Sequence, residues 1–421
     1  RWGKIDKEHG NLYFPIPRDR DQVFFTNSGL FPGIAARKWA MPKFQGFREE
    51  IRDVNGFMFN ARYFDRMFLH RLEEEDWNEM ASLVQERLTD ELLAAAVRRM
   101  PDTVYSLSGR ELLRILKARR DGLQQDALDY YGFLAKAVDI PGSAQRDYFE
   151  VLYQENGNVR VKGSKVKDNG GPGRLFYDRT FRPDITKEIR LYGRDDEDVF
   201  SVGGSAGTAR QSPMKVRMIG GSGKDVFRLA EDVPAGRKVF IYDRSDRENS
   251  YPRPGKARLR TAENEAVNEY DPRSFRYHRL MPLATAGYNL DDGVFLGGGF
   301  RYTHHAFRKE PYASRNSLVL GHALATSAWF LDYEGDFRQV AGKMDLLLNL
   351  EARAPRNTSN FFGAGNETVF EKEGEQPVQY YRTRYNLVEA DARLQYPLGS
   401  KVKLFAGPAG QYFNMRREEN E

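Results

Sequence analysis

The chain has 421 residues, enough for two or three domains at the usual roughly 100–200 residues each. With 40% hydrophobic and 30% charged residues, 22 Tyr and 28 Phe, it is too apolar and aromatic to be disordered. A net charge of only +5, with bases and acids intermixed, excludes a nucleic-acid-binding stripe, and the lack of cysteine excludes disulfides, thiolate catalysis and Cys-based zinc sites.

The longest purely apolar run, residues 92–97, falls far short of the roughly 18 residues of a membrane-spanning helix, so any entry into a membrane must use β-structure. The chain opens on Arg1 without a charged-then-apolar leader and is expected to be a piece of a longer polypeptide. "GNLYFPIPRDRDQVFF" (10–25) sets an aromatic strand beside a charged turn, with Pro15 and Pro17 confining it to a strand end. Residues 1–59 are therefore assigned to the end of an upstream α/β or kinase-like domain.

From Asn60 the period changes. Tyr63, Met67, Phe68 and Leu72 mark one helix, and Trp77, Met80, Leu83, Val84 and Leu88 a second. "TDELLAAAVRRM" follows with Thr89 as N-cap, and Ser108 with Glu111 gives capping-box spacing at the head of a longer helix. Residues 60–143 are assigned to an α-helical lobe.

Residues 144–276 read as a small β-rich repeat domain. "YFEVLYQ" and "NVRVKGSKV" form a predicted hairpin. "IRLYGRDDEDVFSV" (189–202) and "VRMIGGSGKDVFRL" (216–229) then align without a gap, 27 residues apart, and "VFIYDRSDRENSY" from Val239 is a decayed third copy. Each unit is a strand, a tight turn at Gly193 or Gly220, and a second strand. Stacked, the units would bury Val199 with Val226 and Phe200 with Phe227.

From residue 277 to 421, segments of about ten residues alternate apolar side chains with Gly, Ser, Asp or Arg, beginning with "LATAGYN-LDDG-VFLGGGFRYTH". About seven such segments follow one another, with aromatic residues near their ends and a long charged connection at 355–379. The fold class expected is α+β: a helical lobe, a strand-turn-strand repeat, then antiparallel strands of an incomplete transmembrane β-barrel. A soluble β-sandwich is the alternative for this last part.

Two groups of residues carry candidate chemistry. Asp19 and Asp21 share the "PRDRDQ" turn, where they would hold Mg²⁺ if upstream residues complete the site, or form a solvated turn pairing with Arg. "GGSGKDVF" (220–227) fails as a phosphate loop because Met218 replaces the first Gly and Asp225 the hydroxyl residue, but it matches the nonapeptide of calcium-binding β-rolls. On that reading Asp195, Asp196, Asp198 and Asp225 are the Ca²⁺ residues; on the structural one, Gly220 and Gly223 supply positive φ while Asp198 and Asp225 cap the turn through backbone N–H groups. No Ser-His-Asp arrangement, G-x-S-x-G elbow or H-E-x-x-H is present, so no complete catalytic constellation lies within the chain.

The order "YFPIPRDRDQVFF", "GLFPGIAARKWAMPKFQGF", helical lobe, "FRPDITKEIRLYG...DDEDVF" and "LATAGYNLDDGVFLGGGF...NFFGAGNET" resembles large outer-membrane proteins of Bacteroidota. In these a BamA/TamA-like (bacterial surface antigen) barrel follows extra domains, often with an N-terminal calcineurin-like metallophosphoesterase. The resemblance implies a bacterial outer-membrane location with periplasmic or surface-exposed soluble domains, and a role in outer-membrane biogenesis or in export of proteins or lipids. Outer-membrane lipid and other envelope proteins, not nucleic acid, are the partners it implies. The chain departs from the pattern in lacking G-D-x-H and G-N-H-D/E metal motifs and the barrel-loop R-G-F/Y. "IPRDRDQVFF" also resembles, more distantly, the metal-binding segment of CotH-like kinases, which implies a phosphotransfer enzyme with Asp19 or Asp21 on the metal. A surface binding module built on the repeat is a third reading.

Overall fold

The computed structural model describes residues 2–7, 10–16, 23–204, 212–231, 233, 238–290, 292–362, 365, 381–399 and 401–416. The chain is mixed α+β and divides into two compact units, Arg1–Arg273 and Ser274–Glu421.

The first unit opens with an antiparallel pair, β1 (Trp2–Lys7) and β2 (Gly10–Pro15). Short helices follow: α1 (Leu30–Ala35), α2 (Val54–Phe57) and α3 (Arg62–Phe68), then α4 (Glu74–Arg87) and α5 (Asp90–Arg98). Thr89 caps α5 as expected, its side chain accepting from Leu92 N at 3.2 Å. The capping box expected at Ser108 does not form. A helix already under way runs from α6 (Asp102–Val104) through a π-turn at Tyr105–Gly109 into α7 (Arg110–Ala135), and the Ser108 hydroxyl bonds back to Val104 O. Val54, Tyr130 and Leu134 form one buried cluster of the lobe and Leu93, Val97, Leu112 and Ile115 are buried as well, whereas Met67, Leu72, Met80 and Val84 remain exposed despite their helical spacing.

The remainder of the first unit is a stacked β-repeat. β3 (Ala137–Pro141) and β4 (Asp147–Tyr153) form its first rung; the hairpin β5 (Val159–Val166) and β6 (Pro172–Phe181) follows β4. β7 (Glu188–Arg194) with β8 (Val199–Gly204) and β9 (Lys215–Gly221) with β10 (Val226–Leu229) are the two aligned copies. β11 (Val239–Arg244) and β12 (Arg258–Ala262) close one sheet. The two sheets run β12-β11-β9-β7-β3, all parallel, and β10-β8-β4-β5-β6. Alternate residues point between them: Val138, Ile140, Ile189, Leu191, Val216, Met218 and Ile241 from one, facing Phe149, Phe200 and Phe227 from the other. Val199 pairs with Val226 and Phe200 with Phe227, the two rings stacking at 4.9 Å and 7°. Phe149 and Tyr251 extend the stack to four rings, at 5.3 Å from Phe200 and 5.7 Å from Phe227.

The second unit is one antiparallel meander: β13 (Arg279–Asn289), β14 (Gly293–His304), β15 (Ser314–Ala323), β16 (Trp329–Ala341), β17 (Met344–Asn360), β18 (Arg382–Leu398), β19 (Val402–Ala406) and β20 (Ala409–Arg416). β19 and β20 pair with successive halves of β18, so they occupy one strand position interrupted at Gly407 and Pro408, and the strand positions among the described residues number seven. Gly293, at φ 68°, turns the first hairpin tightly. Residues 355–360 of the expected long connection belong to strand β17, which runs for 17 residues rather than ten.

Candidate functional site

The repeat brings four side chains into one line, three of them fully buried. Asp147, Asp198 and Asp225 are fully buried at the start of the second strand of successive rungs, and Asn249 occupies the same place in the last. Each reaches to the rung before it. Asp147 N donates to Asp198 Oδ1 at 2.8 Å, Asp198 N to Asp225 Oδ1 at 2.8 Å, and Asp225 N to Asn249 Oδ1 at 2.9 Å. The other oxygen turns to its own turn, where Ser143 N and Gly221 N each donate at 2.5 Å, to Asp147 and Asp225 respectively. The carboxylates thus take over backbone donors at the place where each rung leaves one sheet for the other.

Beside this line runs a second one of Gly142, Gly193 and Gly220, with Asp243 at the same position in the last rung. The glycines are needed for closeness and not for positive φ, which corrects the sequence expectation. A Cβ on Gly220 would lie 2.6 Å from Asp243 Oδ1 and inside contact distance of the Asp225 carboxylate, and a Cβ on Gly223 would strike the Asp196 carbonyl. The positive φ values fall instead on Arg194 (81°) and Asp196 (66°) in the neighbouring turn.

Burial sets the charge of this line. It pushes the Asp198 carboxyl up to about 9 against the bond from Asp147 N, with Asp225, Asp147 and Asp196 raising it further. Asp243 rises to about 7 by burial, opposed by Asn268 and reinforced by Asp225, and Asp225 rises for the same first reason. Among the described residues Asp198 Oδ2 and Asp243 Oδ2 have no hydrogen-bond partner. Asp147 alone faces a cation, Lys165 Nζ at 2.7 Å. On the opposite sheet, by contrast, a charged row is balanced: Glu188 joins Arg190 at 2.6 Å and Arg217 at 2.9 Å, and these two arginines outweigh burial to hold it at about 2.

The predicted metal residues are therefore split. Asp198 and Asp225 are ladder members, Asp198 accepting from Asp147 N through Oδ1 and Asp225 from Asp198 N and Gly221 N, while Asp195 and Asp196 are exposed on the turn. Six to eight oxygens at 2.3–2.6 Å are what Ca²⁺ requires; among the described residues no cluster of three or more His, Asp or Glu is arranged to hold a metal. Asp19 and Asp21 lie outside the described residues. The sequence reading missed Asp147, Asp243 and Asn249. Asp147 had left a signal, since "GSAQRDYF" repeats the Gly-x4-Asp-x-Phe of the two aligned copies, but the β5–β6 insertion moved it to a 51-residue offset.

The second unit presents a different chemistry. Cross-strand pairing puts Ala284, Gly298, Leu320, Leu331, Ala352, Val388 and Tyr412 in one row of one face, and Pro282, Phe300, Leu318, Tyr333, Leu350, Ala390 and Gly410 in the next. Neither row contains a charge, yet Leu320, Phe300 and Tyr412 are exposed. The opposite face carries Arg301, Ser317, Glu334, Asn349 and Asp391 in one row, with Asp332, Glu351, Glu389 and Gln411 beside it. These bond to one another: Arg301 Nε donates to Ser317 Oγ at 2.9 Å, Asn349 Nδ2 to Asp391 at 3.1 Å, and Arg353 pairs with Asp332 at 2.7 Å. The buried polar residues Ser317, Asp345 and Gln395 all belong to this face. A cavity of about 530 Å³ opens on it, lined by Asp292, Asp332, Phe330, Arg353, Asn357 and Tyr385 among others. It holds hydrogen-bonding and charged groups, among them Thr358, whose hydroxyl donates to Asp292 Oδ1 at 3.1 Å.

Comparison with protein-family models, curated proteins and solved structures gives no match to this chain.

Proposed function

We propose that the chain is part of an outer-membrane β-barrel protein of the BamA-like superfamily, with the Ser274–Glu421 unit supplying membrane-spanning strands and the first unit a rigid extramembrane extension. The observation that carries this reading is the inverted sheet of the second unit. In water, an antiparallel sheet buries its apolar face and exposes its polar one. Here Phe300, Leu320 and Tyr412 of the apolar rows are exposed while Ser317, Asp345 and Gln395 of the polar face are buried, as suits strands with lipid on the apolar side and a wet lumen on the other. Antiparallel neighbours joined by short turns such as that at Gly293 also suit a barrel wall. Among the described residues no helix is long and apolar enough to cross a bilayer, which leaves strands as the spanning elements of this proposal.

A role in outer-membrane biogenesis or in export of proteins or lipids follows from the sequence resemblance alone, and envelope proteins and lipid are the partners it entails. The stacked repeat contributes rigidity, its core being continuous over four rungs. Fractionation tests the membrane reading. The full chain should stay with membranes through alkaline or urea washing and leave only with detergent; recovery in the wash as a monodisperse species would sink it.

A further inference from the structure

A second apolar surface lies in the first unit, on residues 23–48. This stretch contains Arg37, Lys38, Lys43 and Arg48 and not one Asp or Glu. Leu30 and Phe31 are 74% and 81% exposed at the head of α1, and Phe25, Ile34, Trp39 and Met41 are also exposed. Such a density of bare aromatic and aliphatic side chains marks an interaction site when the backbone beneath it is fixed.

It is fixed. Asn27 Nδ2 donates to Pro32 O at 3.1 Å and to Phe44 O at 2.8 Å, tying the two ends of the loop. Phe47 N donates to Phe25 O at 2.7 Å, Arg52 Nη2 to Ala36 O at 2.6 Å, and Arg119 of α7 to Arg48 O at 2.7 Å. Gly46 lets the backbone at Asn27 approach to a distance that a Cβ would block. The loop therefore displays its apolar side chains on a braced frame.

From this we infer that residues 23–48 dock on an anionic lipid surface. The chemistry selects that occupant. Aromatic and aliphatic tips interleaved with cations suit the boundary between acyl chains and acidic headgroups. A second copy of the same surface would bring the four cations against four others, with no anion within residues 23–48 to meet them. The inference is independent of whether the second unit spans a membrane, because it concerns a surface of the first unit alone.

Because the chain has no cysteine, Phe31→Cys gives a unique site for an environment-sensitive fluorophore, with Leu30→Cys as a second reporter. The full chain would be mixed in detergent with phosphatidylcholine vesicles, with or without phosphatidylglycerol, and the detergent removed. With the anionic vesicles the label at either position should shift to the blue and be quenched by lipids brominated near the headgroup. Changing Arg37, Lys38 and Lys43 together to Glu should weaken this tenfold or more. A label at Ser222, exposed on a turn of the repeat, should stay in water. The inference is overturned if the label at position 31 behaves like that at 222, if neutral vesicles give the same signal, or if the shift occurs without vesicles and grows with protein concentration. A parallel label at Leu320 reports on the barrel: quenching at 31 without quenching at 320 would remove the barrel reading and leave this one standing.

Discussion

Replacing Asp198 by Asn separates a structural carboxyl ladder from a metal site. The folded chain holds the Asp198 proton up to about pH 9, while the unfolded chain releases it near the ordinary 3.8. Between those values the native state binds the extra proton, so this group's stabilisation is complete below about pH 4 and is lost progressively as pH rises toward 9. At about 1.4 kcal/mol per pH unit, roughly three units separate 3.8 from neutrality, and the burial of Asp198 costs about 4 kcal/mol at pH 7. The groups facing it, Asp147, Asp225 and Asp196, are all acidic, and only the Asp147 N–H favours its charged form. Asn keeps the acceptor for that N–H and needs no proton. The last rung already uses Asn249 in the same place, bonded to Asp225 N. Allowing about 2 kcal/mol for the buried amide N–H left without an acceptor, Asp198→Asn should stabilise the repeat by about 2 kcal/mol at pH 7 and by nothing, or less than nothing, at pH 4. The assay is chemical denaturation of parent and variant from pH 4 to 9. Destabilisation by Asp198→Asn at pH 7, or a calcium-dependent gain in the parent that the variant lacks, would refute the ladder argument and restore the metal reading.

Gly220→Ala should destabilise the same unit by about 3 kcal/mol, because the added Cβ meets the buried carboxyls of Asp225 and Asp243. Gly122→Ala, in the interior of α7 with nothing near the new methyl, should stabilise by about 0.5–1 kcal/mol; thermal melts of the pair check both. Glu188→Gln leaves Arg190 and Arg217 facing each other without their shared anion and should cost about 3–5 kcal/mol, read by the same melts at pH 7. For the second unit, Leu320→Arg on the apolar face should cost about 2–4 kcal/mol of membrane folding, whereas Val319→Arg, one residue away and facing Gly299 and Asp332, should fold nearly normally. Refolding yield into lipid vesicles ranks the two, and equal losses would contradict the assignment of faces.

The stacked copies were legible because their period was uninterrupted: Val199 and Phe200 meet Val226 and Phe227 at the spacing the alignment requires. The first rung was not, since a hairpin separates it from the second and changes the offset without changing the Gly-x4-Asp pattern. Ser108 shows a second limit. Ser-x-x-Glu spacing names a cap only where a helix begins, and here the chain is already helical from Asp102. The apolar spacing of α4 located a helix but not its burial, because Met80 and Val84 have no layer packed over them. Nor could sequence show that Gly220 is required by neighbouring carboxyls, since Asp243 belongs to a rung that has Asp where the others have Gly.

Alternation in the second unit carries a deeper ambiguity. A period of two states which residues share a face, and nothing about which solvent that face meets. Leu318 and Leu320 would read identically in a sandwich core and in a barrel wall. The barrel reading proposed above rests on the company of the other face: Glu334, Asn349 and Asp391 lie in one row, Asp332 and Glu351 in the next, and Arg353 reaches Asp332 from beside them. A water-exposed polar face has no need of such internal pairing, because water satisfies each group singly. Under the proposed barrel, the same pairing, with Leu320 and Phe300 exposed on the other face, would suit strands that meet lipid on the leucine side and hold charge in a lumen.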